Sequence, residues 1–159
     1  MPSLWITLAV RCLLVALFLP FSALDKLLNF NQAVEQAAQA TGARAPARLL
    51  ILAGFGIELL MSSAILSGIA DRFAALILAG YCLLTALLWK QFWRTPDFRF
   101  RGECHGRALF WDFLKNCALA GGFLLLTFGT DRSGVQRFWE QPFASSHPYE
   151  APPLHEPLQ

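Results

Sequence analysis

Residues 49–93 read LLILAGFGIELLMSSAILSGIADRFAALILAGYCLLTALLWKQFW. They form two apolar runs, about Leu49 to Ile69 and about Phe73 to Trp93, separated only by Ala70-Asp71-Arg72. Crossing a hydrocarbon layer of about 30 Å takes roughly 20 helical residues, and each run is of that length. So short a connection makes the second helix return antiparallel to the first, and the stretch reads as a transmembrane hairpin.

Two further blocks flank the hairpin. The first runs from about Leu4 to Leu24 and is interrupted only by Arg11 and by Pro20 near its end. A cleaved secretory signal would place its basic residue before the apolar run and small residues before the cleavage point. Here Arg11 lies inside the run and Phe21 stands where a small residue is needed before Ala23, so a retained helix is expected. The other block runs from about Ala108 to Gly129, with Asp112, Lys115 and Asn116 in its first turns. The expected fold is all-α: an integral membrane, antiparallel four-helix bundle over residues 1–130, with no span broken mid-membrane.

Between the first two spans, Asp25 to Arg48 is rich in Ala and Gln, with Leu27, Leu28, Phe30, Ala33, Val34 and Ala37 near helical spacing. This predicts a short interfacial helix ended by Gly42 and Pro46. The tail, residues 131–159, carries Pro142, Pro148, Pro152, Pro153 and Pro157, which argues against any packed element of its own. Its Trp139, Phe143 and Tyr149, with Phe138, suggest an interfacial anchor or a docking strip for a partner protein.

Composition agrees. Among 159 residues, 55% are hydrophobic and 15% charged, with a mean hydropathy of +0.44; a soluble domain carries about 25% charged residues. A formal charge of +2, spread among apolar blocks, argues against nucleic acid as a partner. Cys12, Cys82 and Cys117 fall inside apolar blocks, where a thiol behaves as a small hydrophobe. Cys104 sits beside His105 in a polar loop, and a single Cys-His dipeptide is weak evidence for a reactive thiol or a metal site. No metal centre is expected. The histidines, His105, His147 and His155, lie outside the expected spans, which excludes a haem held between transmembrane histidines, and no Cys cluster could hold an iron–sulfur centre.

Four antiparallel spans put both termini on one side. The first and third loops and their flanks hold Lys26, Arg44, Arg48, Lys90, Arg94, Arg99, Arg101, Arg107 and Lys115, against Arg72, Arg132 and Arg137 on the terminal side. The positive-inside rule then places the loops in the cytoplasm and both termini outside, periplasmic in a bacterial inner membrane.

A charge at the centre of a span costs about 2.5–3.5 kcal/mol and needs a partner. Arg11 and Glu58 are expected to find each other, at depths about 6 Å apart on neighbouring helices. Gly54 and Ser62, four residues either side of Glu58, make one small, polar stripe facing inward, with the serine hydroxyl free to serve the carboxylate. Asp112, Lys115 and Asn116 share a helical face and, with Lys26 and Lys90, form a loop-side shelf. Two readings stand: a structural ion pair with snorkelling lysines, or a polar pocket that holds a quinone head group or relays protons.

Arg11, Ser22-Ala23-Leu24-Asp25-Lys26-Leu27, the interfacial segment after Phe30, Gly56-Ile57-Glu58-Leu59, Ile65-Leu66-Ser67-Gly68, Phe92-Trp93, Lys115-Asn116 and Gly121-Gly122 form an ordered set. On that set the chain resembles the DoxX family of small four-helix membrane proteins, from about Arg11 to Gly129. It departs where many relatives have Gly (Ser22 here) and His (Lys90 here), which weakens proton transfer at the third helix. The Arg-rich loop and Pro-rich tail look like local additions. The resemblance implies a membrane-embedded part of redox systems, some relatives being linked to quinone-dependent thiosulfate oxidation and others to oxidoreductase assemblies. It also implies Arg11, Lys26, Glu58, Lys115 and Asn116 as the polar site. A non-catalytic accessory subunit of a larger membrane complex, with no intrinsic cofactor, is the expected role; a quinone-reactive subunit is the alternative. A transporter is disfavoured by unbroken spans and the lack of repeat symmetry.

Overall fold

The computed structural model describes residues 2–150. It is all-helical among those residues: α1 (Pro2–Val15), α2 (Ala23–Leu28), α3 (Phe30–Thr41), α4 (Arg44–Ser67), α5 (Asp71–Trp89), α6 (His105–Phe128) and α7 (Arg132–Glu140). Four segments are long and apolar enough to cross a membrane: Leu4–Leu28, Arg44–Ser67, Asp71–Arg94 and His105–Phe128. The chain is a multi-pass membrane protein, and the four expected spans are present, each extended at one or both ends.

The first span is broken, contrary to expectation. Between α1 and α2 the chain passes through a wide turn at Leu17–Ser22, in which Leu19 leaves the helical region (φ −123°, ψ 108°). Pro20 has no N–H to give an α-helical ladder, so the segment cannot run straight through. Unbroken spans therefore no longer count against transport.

α3 is the expected amphipathic helix. Val34 and Ala37 are buried against Ala47 of α4, and Gly42 ends the helix in the left-handed region at φ +72°. Pro46 does not end α3; it lies in the first turn of α4, where a missing N–H costs nothing.

The core is built around α5. Ala74, Ala75, Leu78, Ala79 and Cys82 pack with Val15, Phe18, Ile65, Ala120 and Phe123. Without a hydrophobic drive between helices in lipid, close backbone approach has to come from small residues, and the alanines of α5 provide it. Outward residues such as Leu13, Leu60 and Leu84 are exposed, as a lipid-facing surface requires.

The tail also departs from expectation. Residues 132–140 form α7, with Phe138 buried against Phe128 at a ring distance of 5.2 Å. The segment after it, up to Glu150, folds back over the α4–α5 turn. Pro142 and Pro148 keep that segment from forming a helix but not from packing, because extended chain can be held by side-chain hydrogen bonds. Pro152, Pro153, Pro157 and His155 lie outside the described residues.

Candidate functional site

The inner face of α4 carries Gly54, Glu58 and Ser62, all buried, as their four-residue spacing predicts. Glu58 does not meet Arg11. Its carboxylate takes two hydrogen bonds from the Lys26 ammonium, at 2.6 and 2.8 Å, and one from the Tyr81 hydroxyl at 2.8 Å. Lys26 also donates to Ser22 Oγ at 2.7 Å. The Lys26 side chain keeps 15% of its exposure and that of Glu58 keeps 2%. Gly54 makes room for this cluster, since a Cβ there would lie 2.9 Å from the Tyr81 hydroxyl. By residue count Glu58 and Tyr81 each lie about 14–15 Å from the α4–α5 turn, at mid-bundle depth.

Arg11 is placed near the C-terminal end of α4. Its guanidinium donates to the Ile65 carbonyl at 2.5 Å and to Asp71 Oδ2 at 2.5 Å, with Arg11 at 3% and Asp71 at 0% exposure. The expected Arg11–Glu58 pair assumed that the start of the first span and the end of the second lie at one level. Arg11 instead lies level with Ile65, nearer that end of α4 by about two turns, where Asp71 is the nearer carboxylate.

The tail completes this pair. Ser146 Oγ accepts from Arg11 at 2.8 Å and donates to Asp71 Oδ2, while the Ser146 amide donates to Asp71 Oδ1 at 2.9 Å. Ser145 Oγ donates to the Gly68 carbonyl at 2.6 Å, and the Tyr149 hydroxyl donates to the Leu66 carbonyl. The Arg11 guanidinium lies 6.0 Å from the centroid of the Tyr149 ring. Tyr149, expected to meet a partner, is thus engaged by its own bundle. Phe143 is 65% exposed yet packs on Phe73 at 4.7 Å, and Trp139 is 74% exposed.

The loop-side shelf is a third, separate cluster. Asp112 pairs with Lys90 at 3.2 Å and with Lys115 at 3.3 Å, and Asn116 donates to the Asp112 carbonyl at 2.9 Å. Asp112, Lys115 and Asn116 do share a face, but no hydrogen bond or ion pair among the described residues joins them to Glu58 or Arg11. Lys26, assigned to this shelf from sequence, is drawn inward to Glu58 instead.

The six sequence-nominated residues therefore divide among three clusters. Asp71, Tyr81 and Ser146 were missed. Tyr81 had a readable signal, a phenol in the middle of an apolar span that needs an acceptor; Asp71 looked like a turn residue and Ser146 like loose tail. Ser62 lies on the expected face but does not serve Glu58: its hydroxyl, like Arg11 Nε, is buried with no hydrogen-bond partner. Cys104 has a structural use, its Sγ accepting from the Arg107 amide at 3.4 Å at the start of α6. Among the described residues no group of three or more His, Cys, Asp or Glu side chains is arranged to hold a metal ion.

A family model described as DoxX matches residues 6–91. The match spans α1 to α5 and includes Arg11, Lys26, Glu58, Asp71 and Tyr81; Asp112, Lys115, Asn116 and Ser146 lie beyond it. No curated protein and no solved structure matches the chain.

Proposed function

The chain belongs to the DoxX family, and on that premise we propose that it is a non-catalytic, membrane-embedded accessory subunit of a bacterial quinone-linked oxidoreductase complex. One observation carries the accessory role. Among the described residues, the two inward-facing ion pairs, Arg11 on Asp71 and Lys26 on Glu58, are closed within the chain, each with added hydroxyl partners. Charges so arranged fix the register of helices, and the apolar outer faces of those helices stay free for lipid or neighbouring subunits. The quinone-linked setting rests on the family resemblance.

Purification from native membranes in mild detergent, with mass spectrometry of what remains bound, tests this reading. Stoichiometric recovery of a redox-enzyme subunit is expected. A chain that elutes alone and monomeric under conditions that preserve other membrane complexes overturns it.

A second reading has its own observation. Lys26 reaches Glu58 from a partly exposed position, so a quinone head group entering from the lipid would meet an ammonium, a carboxylate and the Tyr81 phenol together. Quinone binding by the purified chain that is lost on Glu58→Gln would favour it; quinone binding absent in both proteins would remove it.

A further inference from the structure

The loop between α5 and α6 is pinned to the start of α6. The Asp97 carboxylate accepts from the His105 amide at 2.9 Å and the Gly106 amide at 3.2 Å. With Cys104 Sγ on the Arg107 amide, the first N–H groups of α6 are already satisfied, so an anion has no place on the helix axis. Gly106 lets the loop lie close, since a Cβ there would stand 2.9 Å from Phe98 Cα. A chain of rings links the loop to the ends of both spans: Phe92 to Phe98 at 5.3 Å, Phe98 to Phe100 at 5.1 Å, Phe100 to Phe110 at 5.4 Å and Phe110 to Trp111 at 5.5 Å. Phe100 is nonetheless 69% exposed and Trp111 49%.

Around this platform stand Arg94, Arg99 and Arg101, all exposed. Among the described residues none of the three makes a side-chain hydrogen bond or ion pair. Asp97 and Glu103 form no ion pair with them, and two carboxylates only partly offset the four arginines of loop 94–107. Arg107 gives one N–H to the Gly102 carbonyl at 2.9 Å.

We propose that loop 94–107 is a docking surface for anionic phospholipid head groups in the leaflet on its own side of the membrane. The surface joins the ends of two spans, so it sits where chain leaves the hydrocarbon. Its exposed rings suit the boundary between acyl chains and head groups. Guanidinium groups match phosphate oxygens in pairs, and three without internal partners are the complement of a phosphodiester layer. An acidic protein face would want the charges but not exposed rings at this depth.

The test is lipid retention by the full chain. Purified protein in mild detergent is given equal phosphatidylglycerol and phosphatidylcholine, and bound lipid is counted by native mass spectrometry. Phosphatidylglycerol should be retained preferentially, with the preference falling roughly fivefold for each arginine removed in Arg99→Gln and Arg99→Gln/Arg101→Gln. Arg72→Gln, on the terminal side, should leave it unchanged. Equal retention of the two lipids, or an equal loss on Arg72→Gln, overturns the proposal. So does a preference that survives the double substitution.

Discussion

Arg11 and Asp71 stand sixty residues apart in the chain and meet at 2.5 Å in the bundle, with Ser146 of the tail bonded to both. The pair fastens the first span to the start of α5, and the tail covers it. Removing one partner of a buried ion pair leaves an uncompensated charge and costs about 3–5 kcal/mol. Arg11→Met and Asp71→Asn should each lower the thermal unfolding temperature in detergent sharply, and the double variant should lose less than the sum. Strict additivity would show that the two side chains do not depend on each other.

Lys26 and Glu58 should behave the same way at mid-bundle depth. Lys26→Met strands the carboxylate with only the Tyr81 hydroxyl, so it should be more damaging than Lys26→Met combined with Glu58→Gln. Unfolding of the two variants by heat in one detergent decides this, and equal losses would argue that the pair carries no mutual dependence.

Gly54 is required by a neighbour rather than by its own backbone. A Cβ would stand 2.9 Å from the Tyr81 hydroxyl, so Gly54→Ala should cost about 1–3 kcal/mol as an overpacked core site. In a Tyr81→Phe background the obstructing oxygen is gone, and the further cost of Gly54→Ala should shrink. A double-variant cycle read by thermal unfolding measures that coupling.

The tail is expected to behave as part of the bundle. Deleting residues 142–159 removes Ser145, Ser146 and Tyr149 from the α4–α5 turn, leaving Asp71 with the Arg11 guanidinium and the Arg72 amide. Hydrogen exchange at Gly68–Arg72 should rise and the unfolding temperature should fall. Ser146→Ala, which spares the backbone amide bond to Asp71, should show a smaller change in the same direction, about 1–3 kcal/mol.

Orientation can be read with the native thiols. Cys82 is buried, whereas Cys104 lies in the loop at the start of α6. If the loops are cytoplasmic, a membrane-impermeant maleimide should label Cys104 in inverted vesicles and not in intact spheroplasts. Labelling in spheroplasts would invert the topology.

The sequence by itself determined the number of spans, their antiparallel order and the inward face of α4. These are local matters: a run of about twenty apolar residues has one low-energy answer in lipid, and Gly54, Glu58 and Ser62 share a face by helical period alone. It also marked Arg11 and Glu58 as residues needing partners, because a charge in hydrocarbon cannot go unpaired. Only the tertiary structure decided which partners. That choice depends on where each helix starts, on the break at Leu19 that leads into the short helix carrying Lys26, and on a tail that closes back over Asp71. A shift of two turns along a helix axis, about 11 Å, is enough to exchange one carboxylate for another, and no periodicity within a single helix records its level against its neighbours.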